Sequence, residues 1–297
     1  MAKWLITGAG GQLGSVTLRT LQERGEDALG LVSPRGPRPQ CGRAISLDLA
    51  QPDALRRLLE TERPSHVIHA AAVTSPAQAH ASPERAWAVN VEAVEVLARA
   101  SQQLGARLVV LSTDMVFDGL AAPYDEWAET NPRSVYGRTK VAAEDRTLRS
   151  AGVVLRSPLL YGLPAAPRPN TLQGQIRALR HGEELVLYHD EYRTPLWLED
   201  AAAIVIEVAR SRLKGVVHMA GPQRLSRLAM GRALARVLGV HSPRILSRSC
   251  RDAPDPEPRA PDLSLRCERL TRHLGHAPGR TLEQALEQIL RQLPASP

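Results

Sequence analysis

Tyr136 and Lys140 stand four residues apart in Tyr136-Gly137-Arg138-Thr139-Lys140. On a helix that spacing puts both side chains on one face, one turn apart. An ammonium close to a phenol favours the phenolate and lowers the tyrosine pKa from its usual value of about 10. The pair then serves as proton donor and acceptor near neutral pH, which reduction of a carbonyl or oxidation of an alcohol requires. A third group comes from Val109-Val110-Leu111-Ser112-Thr113-Asp114, an apolar strand that delivers two hydroxyls and a carboxylate to its C-terminal end. Thr113 suits a hydrogen bond to a substrate carbonyl, orienting it toward Tyr136. The competing reading is that Ser112 and Thr113 cap a turn. Asp114 is either a substrate contact or a partner of its own loop.

These groups need a scaffold. Lys3 to Thr7 reads as a short buried strand that runs into Gly8-Ala9-Gly10-Gly11-Gln12-Leu13-Gly14, and Ser15 to Arg24 reads as a helix. Gly8 allows the tight turn, Gly11 a close approach to a pyrophosphate, and Gly14 close packing of helix on sheet. The phosphates then sit at the helix N-terminus, where free N–H groups and the dipole favour negative charge. A glycine triplet between a strand and a helix is the context of a dinucleotide site. Further strands are predicted near 27–32, 43–47, 66–70, 106–112 and 152–156, with helices near 52–61, 82–104 and 136–150. This alternation implies an α/β fold with a doubly wound parallel (Rossmann) sheet. Its ligands bind beyond the C-terminal strand ends.

The second strand ends in Ser33-Pro34-Arg35, without the Asp or Glu that would hold a free ribose 2′-hydroxyl. An arginine there suits a 2′-phosphate, so NADPH is the expected cofactor, with Ser33 and Arg35 as its contacts. The rival reading places Arg35 and Arg38 in a solvated Pro-rich loop. Beyond residue 156 the pattern is irregular. Asn170 is placed to cap a helix to about Arg180, Leu185 to Tyr188 reads as a strand, and a helix follows Glu199-Asp200. Val216 to Met219 is expected to complete the main sheet. Helices are predicted near 225–238 and 281–293, the latter opening with a capping-box pattern at Thr281 and Gln284. The prolines of Asp252 to Arg259 make that segment a loop and a candidate substrate flap. The expected division is a nucleotide-binding domain over 1–160 with late elements from about 193–220, and a smaller substrate-binding region over 161–192 and 221–297.

Together these segments resemble the extended short-chain dehydrogenase/reductase family, in its dTDP-4-dehydrorhamnose reductase branch. Thr7-Gly8-x-x-Gly11-x-x-Gly14, then Thr113, then Tyr136-x-x-x-Lys140 is the family pattern. Ser112-Thr113-Asp114-Met115-Val116-Phe117-Asp118-Gly119 resembles the branch's Ser-Thr-Asp-Tyr-Val-Phe-Asp-Gly, and His69-Ala70-Ala71-Ala72 resembles its Asn-Ala-Ala-Ala. Tyr124-Asp125-Glu126 through Asn131-Pro132 is similar as well. The resemblance covers about residues 3–220. It implies catalysis by Thr113, Tyr136 and Lys140. It implies cofactor contacts from Gly8, Gly11, Gln12, Leu13, Asp48 (beside the adenine), Leu49, Ala70, Ala71, Ala72, Asn90, Ser112, Tyr136, Lys140 and Pro158. Substrate contacts would come from Thr74, Asp114, Met115 and Arg193, with Arg168 and Arg177 as further anion contacts. His69, where the family usually has Asn, is assigned a local structural role. The implied reaction is NADPH-dependent reduction of a nucleotide-linked 4-keto-6-deoxy sugar. Met115 in place of tyrosine, and Val73-Thr74-Ser75-Pro76 without an acidic residue, depart from the branch on the substrate side.

Composition bounds the alternatives. Residues 151–297 hold 21 Lys and Arg against 14 Asp and Glu, while residues 1–150 are balanced at 17 each. The cationic surplus thus lies in the half expected to hold an anionic substrate. Arginines dispersed over helices, with one Phe and few Tyr and Trp, argue against nucleic acid. No apolar run reaches membrane length. Cys41, Cys250 and Cys267 are odd in number and scattered, which points to reduced thiols in a cytoplasm and to no metal site. A glycine loop at residue 8 leaves no place for a secretory signal. Family members occur as monomers and dimers, so a homodimer is admitted. The same branch resembles the regulatory subunit of methionine adenosyltransferase, a non-catalytic dinucleotide-binding partner. The intact Thr113, Tyr136 and Lys140 favour an enzyme. A ketoreductase of a non-sugar natural product is the other alternative. An epimerase or dehydratase holding NAD⁺ is disfavoured by Ser33 and by Asp114-Met115.

Overall fold

The computed structural model describes residues 3–167 and 169–293, so Arg168 lies outside the described residues. The main strands are β1 (Lys3–Thr7), β2 (Asp27–Val32), β3 (Arg43–Ser46), β4 (His66–His69), β5 (Arg107–Thr113), β6 (Val153–Ser157) and β7 (Gly215–His218). They form one sheet in the order β7-β6-β5-β4-β1-β2-β3, all neighbours parallel. The order reverses between β1 and β4, which is the doubly wound arrangement the sequence predicts. A crevice opens at that switch point.

The helices are α1 (Gln12–Glu23), α2 (Pro52–Glu62), α3 (Pro76–Ala81), α4 (Pro83–Trp87), α5 (Ala93–Leu104), α6 (Val135–Arg149), α7 (Thr171–Arg180), α8 (Leu198–Arg210), α9 (Arg227–Val237), α10 (Glu268–Leu274) and α11 (Leu282–Gln292). Strand side chains alternate between two cores. Trp4 and Ile6 of β1, Val109 and Leu111 of β5, and Val153 and Leu155 of β6 pack with α1 and α8. Leu5, Leu108 and Val110 point the other way, onto Leu55 and Leu59 of α2 and Val94 and Leu97 of α5. Burial on both faces explains why these strands read as unbroken apolar runs.

The expected single helix over 82–104 is in fact α4, a π-helical turn at Ala88–Glu92, and α5. Short strands outside the main sheet pair 160–161 with 196–197, 192–193 with 225–226, and 185–188 with 245–248. Asn170 and Thr281 form capping boxes with Gln173 and Gln284, starting α7 and α11. Among the described residues no helix is long and apolar enough to cross a membrane.

Candidate active site

The crevice begins at the turn after β1. Gly8 has φ +73°, and a Cβ there would lie 2.7 Å from the Ala71 nitrogen. A side chain is therefore excluded both by conformation and by the segment leaving β4. A Cβ on Gly14 would lie 2.2 Å from the Gly8 carbonyl oxygen, so the first turn of α1 sits directly on the glycine turn. Gly11 is the N-cap of α1 and brings no side-chain cap. The first N–H groups of the helix thus face the crevice without a side-chain competitor, as an anion site requires.

The crevice has a volume of about 410 Å³ and follows the strand ends. Gly8, Gly11, Gln12 and Leu13 line its start, and Ser33, Asp48 and Leu49 line the β2–β3 side. Ala70, Ala71, Ala72 and Thr74 form the floor after β4, while Ser112, Thr113, Tyr136, Lys140 and Pro158 close the other end. All of these were expected from the sequence. Gly10, Pro37, Arg85 and Leu160 also line it and were not. Arg85 of α4 donates to Asp48 Oδ1 at 2.8 Å, holding the Asp48 carboxyl below the usual carboxylate range. No sequence pattern marks Arg85, because the contact spans 37 residues.

Other expected contacts fall elsewhere. Arg35 is exposed and does not line the crevice, which Ser33 and Gly36 do. Asn90 is fully buried and braces the wall from behind. It accepts from the Val73 N–H at 2.8 Å and donates to Thr139 Oγ1 at 2.9 Å. Arg193 is spent inside the protein. It bonds the Tyr192 and Ala260 carbonyls, pairs with Glu191 at 3.2 Å, and reaches Asp114 at 3.7 Å. Asp114 and Met115 are not part of the lining; Asp114 is buried, and Met115 packs on the cluster of Val116 and Phe117 and on that of Tyr136. Burial pushes the Asp114 carboxyl up to about 6 against the pull of Arg193. Arg177 is exposed and 3.8 Å from Glu183. His69 is structural, as expected: it is fully buried with Nδ1 2.8 Å from Thr7 Oγ1. Burial and then the Lys140 charge take its pKa down to about 3.

Thr113 ends β5 and caps the turn Asp114–Val116, accepting from the Met115 N–H and donating to Asp114 Oδ1 at 3.1 Å. The turn-capping reading therefore holds together with its place in the crevice. Ser134 starts α6 by accepting from the Gly137 N–H at 3.0 Å. A Cβ on Gly137 would lie 2.5 Å from the Met115 carbonyl oxygen. The absence of a side chain there lets α6 back onto that turn, which brings Tyr136 to Thr113. Tyr136 and Lys140 are both buried, on the crevice side of α6.

One electrostatic expectation is corrected. The Tyr136 phenol is raised above its usual value, by burial first and the Asp114 charge as well, against the pull of the Thr113 hydroxyl. Desolvation of the phenolate dominates, and the ammonium one turn away leaves no mark on it. Burial also pulls Lys140 down to about 8, opposed by the Glu144 charge. Glu144, one turn further along the same face, accepts from Ser112 Oγ at 2.5 Å and from Arg156 Nε and Nη2 at 2.9 and 2.7 Å. No sequence motif marks this pair. A lone arginine in the apolar run Val153-Val154-Leu155-Arg156 was the available signal.

A doubly wound sheet, a side-chain-free helix start at its switch point, and a threonine, tyrosine and lysine at one end of the crevice define a Rossmann-type protein with the residue set of a short-chain dehydrogenase/reductase. The profile of the RmlD substrate binding domain matches residues 2–294, and the chain belongs to that family, the dTDP-4-dehydrorhamnose reductase branch of the extended enzymes. It is 35% identical over 217 residues to the dTDP-4-dehydrorhamnose reductase of Streptomyces griseus, covering 72% of this chain and 67% of that one. It is 31% identical over 277 residues to methionine adenosyltransferase 2 subunit beta of Xenopus tropicalis, covering 90% and 80%. The dTDP-4-dehydrorhamnose reductase of Bacillus anthracis, solved in complex with NADP, shares the fold with a TM-score of 0.86 at 24% identity, over 99% of this chain and all of that one.

Proposed function

We propose that the protein is an NADPH-dependent reductase of a ketone, most closely a 4-keto-6-deoxy sugar carried on a nucleotide diphosphate. The observation that carries this reading is the junction of Thr113, Tyr136 and Lys140 at one end of a dinucleotide-shaped crevice. The glycine turn and α1 start fit a pyrophosphate, and Ser33 fits a ribose bearing a 2′-phosphate. NADPH supplies the hydride when bound. Thr113 holds the substrate carbonyl, Tyr136 gives its hydroxyl proton to the reduced oxygen, and Lys140 binds the nicotinamide ribose. The raised phenol keeps Tyr136 protonated before the reaction but makes it a weaker acid than one nearer neutrality. We assign 1–160 with 193–220 to nucleotide binding, and 161–192 with 221–297 to the substrate.

Depletion of NADPH against dTDP-4-keto-6-deoxy sugars, other nucleotide ketosugars and simple ketones tests the reading. Consumption with a sugar nucleotide supports it; consumption only with simple ketones moves the substrate to the non-sugar class. The relatedness to methionine adenosyltransferase 2 subunit beta supports a second reading, a dinucleotide-binding partner subunit. That reading predicts a co-purifying protein and no turnover.

Two expected outcomes follow from the cofactor side. Ser33→Asp places a carboxylate where the 2′-phosphate would lie, and the ratio of NADPH to NADH affinity falls about tenfold or more, equivalent to roughly 1.4 kcal/mol. Fluorescence titration with both cofactors reads it; an unchanged ratio removes Ser33 from the 2′ site. The second concerns Lys140, whose folded pKa is depressed to about 8. Its contribution to stability is present above the unfolded value of about 10.4 and is lost as pH falls through the folded one. Binding runs the opposite way. The ammonium that would bond the ribose is lost as pH rises through about 8, so NADPH affinity weakens there. Lys140→Met flattens that dependence, and a wild-type affinity constant across this range would contradict it.

A further inference from the structure

The segment 253–259 carries no helix or strand, yet it is tied at several points. Behind it, Asp190 accepts from Ser249 Oγ and from the Cys250 N–H, both at 2.6 Å. Arg259 at its far end donates to Glu191 Oε2 at 2.9 Å and to Asp255 at 2.5 Å, with its guanidinium 4.8 Å from the Tyr188 ring centre. Both ends are thus fastened to residues 188–191. The middle reaches the nucleotide-binding half. Glu257 Oε1 accepts from the Val135 N–H at 2.8 Å, across 122 residues of sequence, and stands 3.6 Å from His80 Nδ1 of α3. The Glu257 side chain is 10% exposed, and its Oε2 is buried without a hydrogen-bond partner among the described residues.

Val135 is the first residue of α6, and Tyr136 is the second. The first four N–H groups of a helix have no partner inside it. Ser134 satisfies the one on Gly137, and Glu257 satisfies the one on Val135. A carboxylate is also the favoured charge at that helix end. No other hydrogen bond joins this strap to the helix that carries Tyr136 among the described residues.

We infer that Glu257 is a positioning residue, which completes the N-cap of α6 from the 253–259 strap and so couples the seating of the strap to the placement of Tyr136. The inference rests on the reductase reading for its catalytic consequence. The strap belongs to the half that would hold the substrate. Of its two carboxylates, Asp255 pairs with Arg259 and Glu257 lands on the residue before the general acid. Substrate that seats the strap would thereby fix the first turn of α6.

The test uses the full chain with NADPH, as wild type, Glu257→Ala and Glu257→Gln. Amide exchange at Val135 to Gly137 and tryptic cleavage after Arg259 are followed together with kcat and NADPH affinity. In Glu257→Ala, exchange and cleavage rise about five- to tenfold, the scale of a lost cap. Turnover on the ketone falls about as far, while NADPH affinity and melting temperature stay near wild type. Glu257→Gln, which keeps the acceptor oxygen, restores exchange and kcat. Unchanged exchange at Val135 to Gly137 in Glu257→Ala overturns the inference, as does faster exchange with wild-type kcat. The exchange arm needs no substrate. A wild type that reduces no ketone therefore strikes the reductase reading, whereas unchanged exchange strikes Glu257.

Discussion

Tyr136→Phe loses roughly 10²–10⁴-fold in ketone turnover, the usual contribution of a positioned general acid. The substitution removes one oxygen and leaves the ring in its buried place against Ala79 and Ala86. The fold should barely register the change, because a single internal hydrogen bond contributes only about 0.5–1.5 kcal/mol net. NADPH affinity should also hold, since the glycine turn and Ser33 are untouched. Steady-state rates, NADPH titration and a melting curve on the same preparation separate these effects. Lost turnover with retained binding and melting locates the defect in proton transfer. Turnover within about threefold of wild type is far below the range for a general acid and would remove Tyr136 from that role.

Arg156→Met should be the most destabilising single change near the site. Arg156 and Glu144 form a bidentate pair with side chains only 5% and 6% exposed. Arg156 lies beside Ser112 in the sheet register, and Glu144 descends from α6 onto both. Removing the guanidinium leaves a buried carboxylate with only the Ser112 hydroxyl, and breaking such a pair costs about 3–5 kcal/mol. For a chain of this size the melting temperature should drop on the order of 10 °C. Replacing both partners, Glu144→Leu with Arg156→Met, should recover most of the loss, because no charge is then stranded. A single variant within about 1 kcal/mol of wild type would mean that water or local rearrangement satisfies Glu144. Activity should fall with stability in the single variant, since Glu144 shares a helix face with Tyr136 and Lys140.

The parts of the molecule that the sequence made legible are those governed by local rules. The apolar strand runs, the glycine turn, and the caps at Asn170 and Thr281 all follow from neighbours within a few residues, and their elements stand within a residue or two of expectation. What escaped depends on contacts between distant segments. Periodicity gave one helix over 82–104. The π-helical turn that interrupts it carries Asn90, which reaches Val73 and Thr139. The strand at Ile245–Arg248 is mostly exposed and lacks alternation; it is defined by its pairing with Leu185–Tyr188. Arg35 follows the second strand, as a 2′-phosphate contact would, but it is exposed and Ser33 and Gly36 of its loop line the crevice instead. The charge of Arg193 suits an anionic substrate, but Glu191 and Asp114 claim it. The phenol expectation failed for a related reason. Spacing placed the lysine correctly but carried no information on burial, and burial sets the Tyr136 pKa.

The most direct measurement is isotopic. The protein is incubated with NADPH deuterated at the transferable position and with the nucleotide 4-keto-6-deoxy sugar panel, and the products are weighed by mass spectrometry. The reductase account predicts an alcohol carrying one deuterium on the former carbonyl carbon, formed by wild type and nearly absent with Tyr136→Phe. Tight NADPH binding with no labelled product from any ketone would contradict it and would favour a partner subunit.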